Sequence, residues 1–117
     1  MRYLAIYKTS AERVAAPPSQ DEIAKMGALI ERSVKAGTLV DTGGVMHRGR
    51  SARVRRSGSK VTVHDGPFTE SKEVIAGFAI LEARSHDHAI ELIKEFLGEA
   101  GDGESEIHEL CPPAPVS

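Results

Sequence analysis

The stretch EVIAGFAILEA, Glu73–Ala83, constrains this chain more than any other. Nearly every position is apolar, so neither face of a strand built from it can be left in water, and it reads as a central strand. RYLAIYK, Arg2–Lys8, behaves likewise: Tyr3, Ala5 and Tyr7 alternate with Leu4 and Ile6, which puts apolar groups on both faces. Two such strands need cover above and below.

Helices can supply one of those covers. Ser19 opens the first, with Glu22 at capping-box spacing and Asp21 and Glu22 at the positive end of the helix. Ile23, Met26, Ile30 and Val34, supported by Leu29, form one apolar stripe, and Gly37 is a natural stop. Ser85 caps a second helix whose inner side is Ala89, Ile90, Ile93, Phe96 and Leu97. Its outer column, Asp87, Glu91, Glu95 and Glu99, reads as a solvated face. TSAERVAAPPS, before the first helix, reads as a loop.

The remaining segments are strands. TLVDTGG runs into a Gly-Gly break. ARVRRSGSKVTVHD alternates on both sides of a Ser-Gly-Ser turn, as a hairpin does. ESEIHEL is sparse in apolar residues and suits an edge. The order strand, helix, strand, inserted hairpin, strand, helix, strand predicts an α+β ferredoxin-like sandwich, with two helices on one face of an antiparallel sheet. The other face then needs a cover of its own, and a second copy laid sheet to sheet is the simplest, giving a homodimer. The chain of 117 residues makes one domain over 1–111, with 112–117 as a flexible tail.

Composition narrows the setting. A single cysteine, Cys111, allows no intramolecular disulfide, and no segment approaches the ~18 apolar residues of a membrane span. No cleavable leader is visible, which points to a cytoplasmic protein. The net charge is −2, but six basic residues and no acid lie between Arg48 and Lys60, while nine acids face Arg84 and Lys94 between Glu82 and Glu109. An anionic ligand, or one part of the protein complementing another or its copy, would explain the asymmetry. The hairpin lacks aromatics for base stacking and no helix has a basic face, which argues against nucleic acid. His86 and His88 diverge on a helix, so no metal-ligand spacing emerges, and no cofactor motif is visible.

The chemistry concentrates in VTVHDGPFTESKE, Val61–Glu73. Asp65-Gly66-Pro67 is sound turn chemistry by itself. Yet a carboxylate at a strand end, with His64 adjacent and Glu70, Lys72 and Glu73 following, also resembles an acid–base set. Asp65 would be the base and Lys72 its electrostatic partner. Alternation puts His64 and Asp65 on opposite strand faces. Arg53 and Arg55 share one hairpin face and could clamp an anion, with Arg56 on the other. Tyr7 and Lys8 could line a sheet cleft, core packing being the competing reading for Tyr3 and Tyr7.

DGPFTESKE, Asp65–Glu73, closely resembles the signature of the DGPF branch of the YCII-related proteins. The resemblance extends to YLAIYK, KAGTLVDTGG, GFAILEARSHDHAIEL and EIHEL. It implies a dimeric ferredoxin-like α/β barrel with a cleft on the concave sheet face. A related protein is implicated in dehydrochlorinating a hydroxylated aromatic, and some relatives accompany RNA polymerase sigma factors. Simpler members have a proposed His–Asp pair with the His in the first helix, but DEIAKMGALIERS holds none. The resemblance therefore carries over Asp65, Glu70, Lys72 and Glu73. It leaves two readings: a homodimer that binds a small polar or anionic molecule in the concave sheet face, closed by the Asp65–Glu73 loop, with cofactor-independent, lyase- or isomerase-like acid–base chemistry there; or a non-catalytic binding or regulatory module linked to transcription.

Overall fold

The structure, a computed structural model, describes residues 1–46, 51–66 and 73–112. Its order is β1 (Arg2–Ser10), α1 (Ala11–Ala15), α2 (Gln20–Lys35), β2 (Leu39–Gly44), β3 (Ala52–Ser57), β4 (Lys60–Asp65), β5 (Glu73–Glu82), α3 (His86–Ala100) and β6 (Glu104–Glu109). Four strands form an antiparallel sheet in the order β2-β5-β1-β6. The two strands that are apolar on both faces are the central pair, and the sparse β6 is an edge. This is the expected α+β ferredoxin-like arrangement with an inserted hairpin. The sheet is open and does not close into a barrel.

Alternation along β1 sorts the two faces. Tyr3, Ala5 and Thr9 are buried, and Tyr7 meets Phe96 of α3 edge-on at 5.3 Å, so this face looks toward the helices. Tyr3, Ala5, Leu81, Ala83, Ala89 and Ile93 form the core. The opposite face carries Leu4, Ile6 and Lys8 of β1 alongside Phe78 and Ile80 of β5.

The helix ends follow their sequence signals. The Ser19 hydroxyl accepts the Glu22 N–H at 3.1 Å and donates to the Glu22 carboxylate at 3.2 Å, completing the capping box. Gly37, at φ +77°, ends the last turn of α2. One expectation fails: the stretch read as a loop contains α1. Ser10 caps it by accepting the Arg13 N–H at 3.2 Å, and Pro17-Pro18 lie beyond its end. Five residues are too few to show a helical period, so the cap was the only local signal.

β3 and β4 form a separate two-stranded sheet, joined by a turn with Gly58 at φ +63°. All their residues are exposed. Ala52, Val54, Val61 and Val63 share one face of this arm with Arg56 and Asp65, while Arg53, Arg55, Lys60 and His64 share the other. The radius of gyration is 16.5 Å, where a compact chain of this length has about 13 Å.

Close backbone approach requires one glycine in the sheet. A Cβ on Gly77 would lie 2.8 Å from the Gly43 carbonyl oxygen of neighbouring β2, which is fixed backbone. Gly77→Ala is expected to destabilise the fold by about 1–3 kcal/mol, read from denaturant unfolding.

Candidate functional site

Two features of the central strands shape what lies beneath the helices. Ala5 pairs with Ala79 and Tyr7 with Gly77, so the middle of the helix-facing surface is paved with small residues. α2 does not descend to fill the space: of its apolar stripe only Leu29 is buried, Met26 and Ile30 are half-buried, and Ile23 and Val34 stay exposed. An ion pair between Arg32 and Glu95 at 3.4 Å bridges α2 to α3. The result is a cavity of about 920 Å³ between sheet and helices. That lies within the size range of small-molecule sites.

The cavity wall mixes apolar side chains with polar ones, among them Glu22, Thr38, Thr42 and Glu95, and has one dense polar cluster at an end. Leu29, Leu39, Leu92 and Ile93 line its length. Tyr7, Thr9, Arg13 and Ser105 gather where β1 meets the α3–β6 turn. That turn, Gly101-Asp102-Gly103, is built for close contact. The Asp102 carbonyl accepts the Tyr7 hydroxyl at 3.0 Å and the Thr9 hydroxyl at 2.9 Å. A Cβ on Gly103 would meet the Lys8 carbonyl and the Tyr7 ring, and one on Gly101, at φ +93°, would strike the Arg13 guanidinium. Arg13 in turn donates to the Ala100 carbonyl at 2.6 Å, at the negative end of α3. The Ser105 hydroxyl is buried without a hydrogen-bond partner.

The described sequence-predicted residues fall in four places. Tyr7 lies in the cavity, whereas Tyr3 is core, stacked obliquely on His86 at 6.0 Å between ring centres. Lys8 is on the opposite sheet face, where its ammonium donates to Glu106 at 2.8 Å, and His108 stands 3.5 Å from the other Glu106 oxygen. Arg53, Arg55 and His64 share the basic face of the arm, and Asp65 ends β4 on the other face, opposite Ala52. Glu73 opens β5 opposite Ser10 and borders a smaller pocket that shares Thr9 and Arg13 with the cavity. Glu70 and Lys72 lie outside the described residues. The cavity of about 920 Å³ therefore lies under the helices, whereas the expected ligand cleft was on the concave sheet face. Thr9, Arg13 and Ser105 escaped sequence reading. Continued alternation along β1 pointed to Thr9, but only the fold brings the other two beside it.

The His88 Nδ1 accepts the Arg84 N–H at 3.0 Å. No helix of the described residues is long and apolar enough to cross a membrane.

The sequence pattern of the YCII-related domain matches residues 1–104. The chain belongs to the YCII-related family. An uncharacterised protein of Rhizobium meliloti is 30% identical over 70 residues, covering 60% of this chain and 56% of the relative, so the match spans little more than half of that relative's length. Among solved structures, 5-chloro-2-hydroxyhydroquinone dehydrochlorinase from Burkholderia phenoliruptrix, in complex with 2,5-dihydroxybenzoquinone, is similar in fold. It has a TM-score of 0.52 and 16% identity, over 95% of this chain and 94% of that one. This YCII member thus shares its family's fold with an enzyme that acts on a small molecule.

Charge on the open face gives a pH signature. The Lys8 hydrogen bond, followed by that from His108, holds the Glu106 carboxyl below the usual carboxylate range, and Glu106 raises Lys8. A depressed carboxyl stabilises the fold above its unfolded pKa and ceases to do so as pH falls through its folded one. A raised lysine loses its contribution as pH rises through its folded value. Glu106→Gln should therefore lower the melting temperature near neutral pH. Its deficit should vanish in acid below the ordinary carboxylate range and narrow again in strong alkali, as read from melts across pH.

Proposed function

We propose that this protein binds a small, largely apolar ring compound carrying polar substituents in the cavity between sheet and helices. The observation that carries this reading is the cavity itself: leucine and isoleucine side chains along its length, small residues for a floor, and a cluster of hydrogen-bonding groups where β1 meets the α3–β6 turn. Interiors close-pack when nothing keeps them apart. Here the small residues Ala5, Gly77 and Ala79 lie where larger ones would fill the space. The hydroxylated ring handled by the dehydrochlorinase that shares the fold supports the same class of compound.

Acid–base chemistry, proton abstraction or elimination without a cofactor, is the reaction this site could serve. Asp65 as base and Lys72 as electrostatic partner are assigned from the family signature, and Glu73, the last residue of the same segment, borders the smaller pocket that shares Thr9 and Arg13 with the cavity. Asp65→Asn should abolish turnover and leave affinity nearly intact; a regulatory module would have no turnover to lose.

A second copy completes the proposed protein. Val54, Val61 and Val63 are each more than half exposed on the arm. A two-stranded hairpin alone is marginal in water. The open sheet face adds Phe78 and Ile75, also exposed. A partner covering both surfaces accounts for them. Sedimentation should show a dimer that Val54→Asp with Val63→Asp dissociates; a wild-type monomer at all concentrations would contradict this.

The binding test uses 2,5-dihydroxybenzoquinone and related hydroxylated aromatics in a thermal-shift titration. The wild type should be stabilised. Ala79→Leu, which fills the cavity floor, should fold and lose the shift. An undiminished shift in Ala79→Leu would place the ligand elsewhere.

A further inference from the structure

We infer that the polar end of the cavity is a recognition site for an anionic head group, with Arg13 and Ser105 as its donors. The inference rests on the cavity being the ligand site and specifies what that ligand must carry. A site for an anion needs donors that the protein has not already used, held where the ligand's body can still lie in an apolar channel.

The donor count at this end is uneven. Tyr7 and Thr9 both spend their hydroxyl protons on the Asp102 carbonyl, so they can offer a ligand only lone pairs. Arg13 gives one N–H to the Ala100 carbonyl, and a guanidinium has about five to give. Ser105 carries a buried hydroxyl with no partner, and it stands directly across from Tyr7 on the adjacent strand. Burying a hydroxyl without a partner is unfavourable, so a native structure that keeps one at a cavity wall has a use for it.

The charges around the cavity leave Arg13 as the cation of this end. This cation shares the lining with three carboxylates, Glu22, Glu95 and Glu99, of which Glu95 is paired with Arg32 at 3.4 Å. Arg13 is exposed as a whole, but its guanidinium is anchored on the α3 carbonyl and lies close over Gly101, where a Cβ would clash with it. A planar carboxylate or an ionised ring hydroxyl matches that fork. The apolar body of the same molecule would then run along Leu29, Leu92 and Ile93.

Two probes of one shape separate charge from fit: 1-naphthoate and 1-naphthalenemethanol, titrated calorimetrically into the wild type, Arg13→Gln, Arg13→Lys and Ser105→Ala. The wild type should bind the naphthoate more tightly than the alcohol. Arg13→Gln should weaken naphthoate by about tenfold or more and leave the alcohol unchanged, and Arg13→Lys should recover part of the loss. Ser105→Ala removes an unpartnered hydroxyl, so it should weaken naphthoate without lowering the melting temperature. It decides the question if Arg13→Gln fails to fold. Equal affinity for both probes, or losses shared equally by both in the variants, would overturn the head-group assignment while leaving the cavity as a binding site. A wild type that binds neither probe would overturn the cavity reading and the assignment with it.

Discussion

The pairing of β1 with β5 governs this molecule. Both strands are apolar on both faces, and their register sets Ala5 against Ala79 and Tyr7 against Gly77. That register has two consequences. It brings small residues together under the helices, so α2 cannot reach a surface to pack on, and a cavity results. It also aligns Leu4, Ile6, Phe78 and Ile80 on the far side, where no helix lies. One ladder of hydrogen bonds thus creates both the cavity proposed for a ligand and the open face proposed for a second copy.

Around that ladder, the chemistry is arranged by turns rather than by helices. Gly101 and Gly103 let the α3–β6 turn come within contact of Tyr7 and Arg13, and the Asp102 carbonyl between them fixes two hydroxyls. The short helix α1 then swings Arg13 over the same turn. A polar end built in this way is rigid where it meets the ligand, which lowers the ordering cost of binding. The opposite face carries its own ion pair, Lys8 with Glu106, with the His108 ring beside the same carboxylate.

Much of the fold was legible because it follows from short-range rules. Period-two alternation identified the central strands and their faces. Ser19 and Ser85 announced their helices, and the Ser-Gly-Ser turn announced the arm. What escaped was of another kind. The stripe Ile23, Met26, Ile30 and Val34 tells which way α2 turns its apolar side, but not how far that side stands from the sheet. The distance depends on residues some fifty positions away, at Gly77 and Ala79. Arg13 and Ser105 were hidden for the same reason, since neither has a local pattern and only the fold brings them to Tyr7. Of the DGPFTESKE signature, Glu73 opens β5 beside the smaller pocket, and Tyr7 and Lys8, adjacent in sequence, lie on opposite faces.

Which face of the sheet takes the ligand is the question on which the rest depends. Methyl-labelled protein titrated with 1-naphthoate answers it by NMR. Shifts at Leu29, Leu92 and Ile93, with Leu4, Ile6 and Ile80 unmoved, are the expected result. Shifts confined to Leu4, Ile6 and Ile80, or none at either set, would contradict a ligand site beneath the helices.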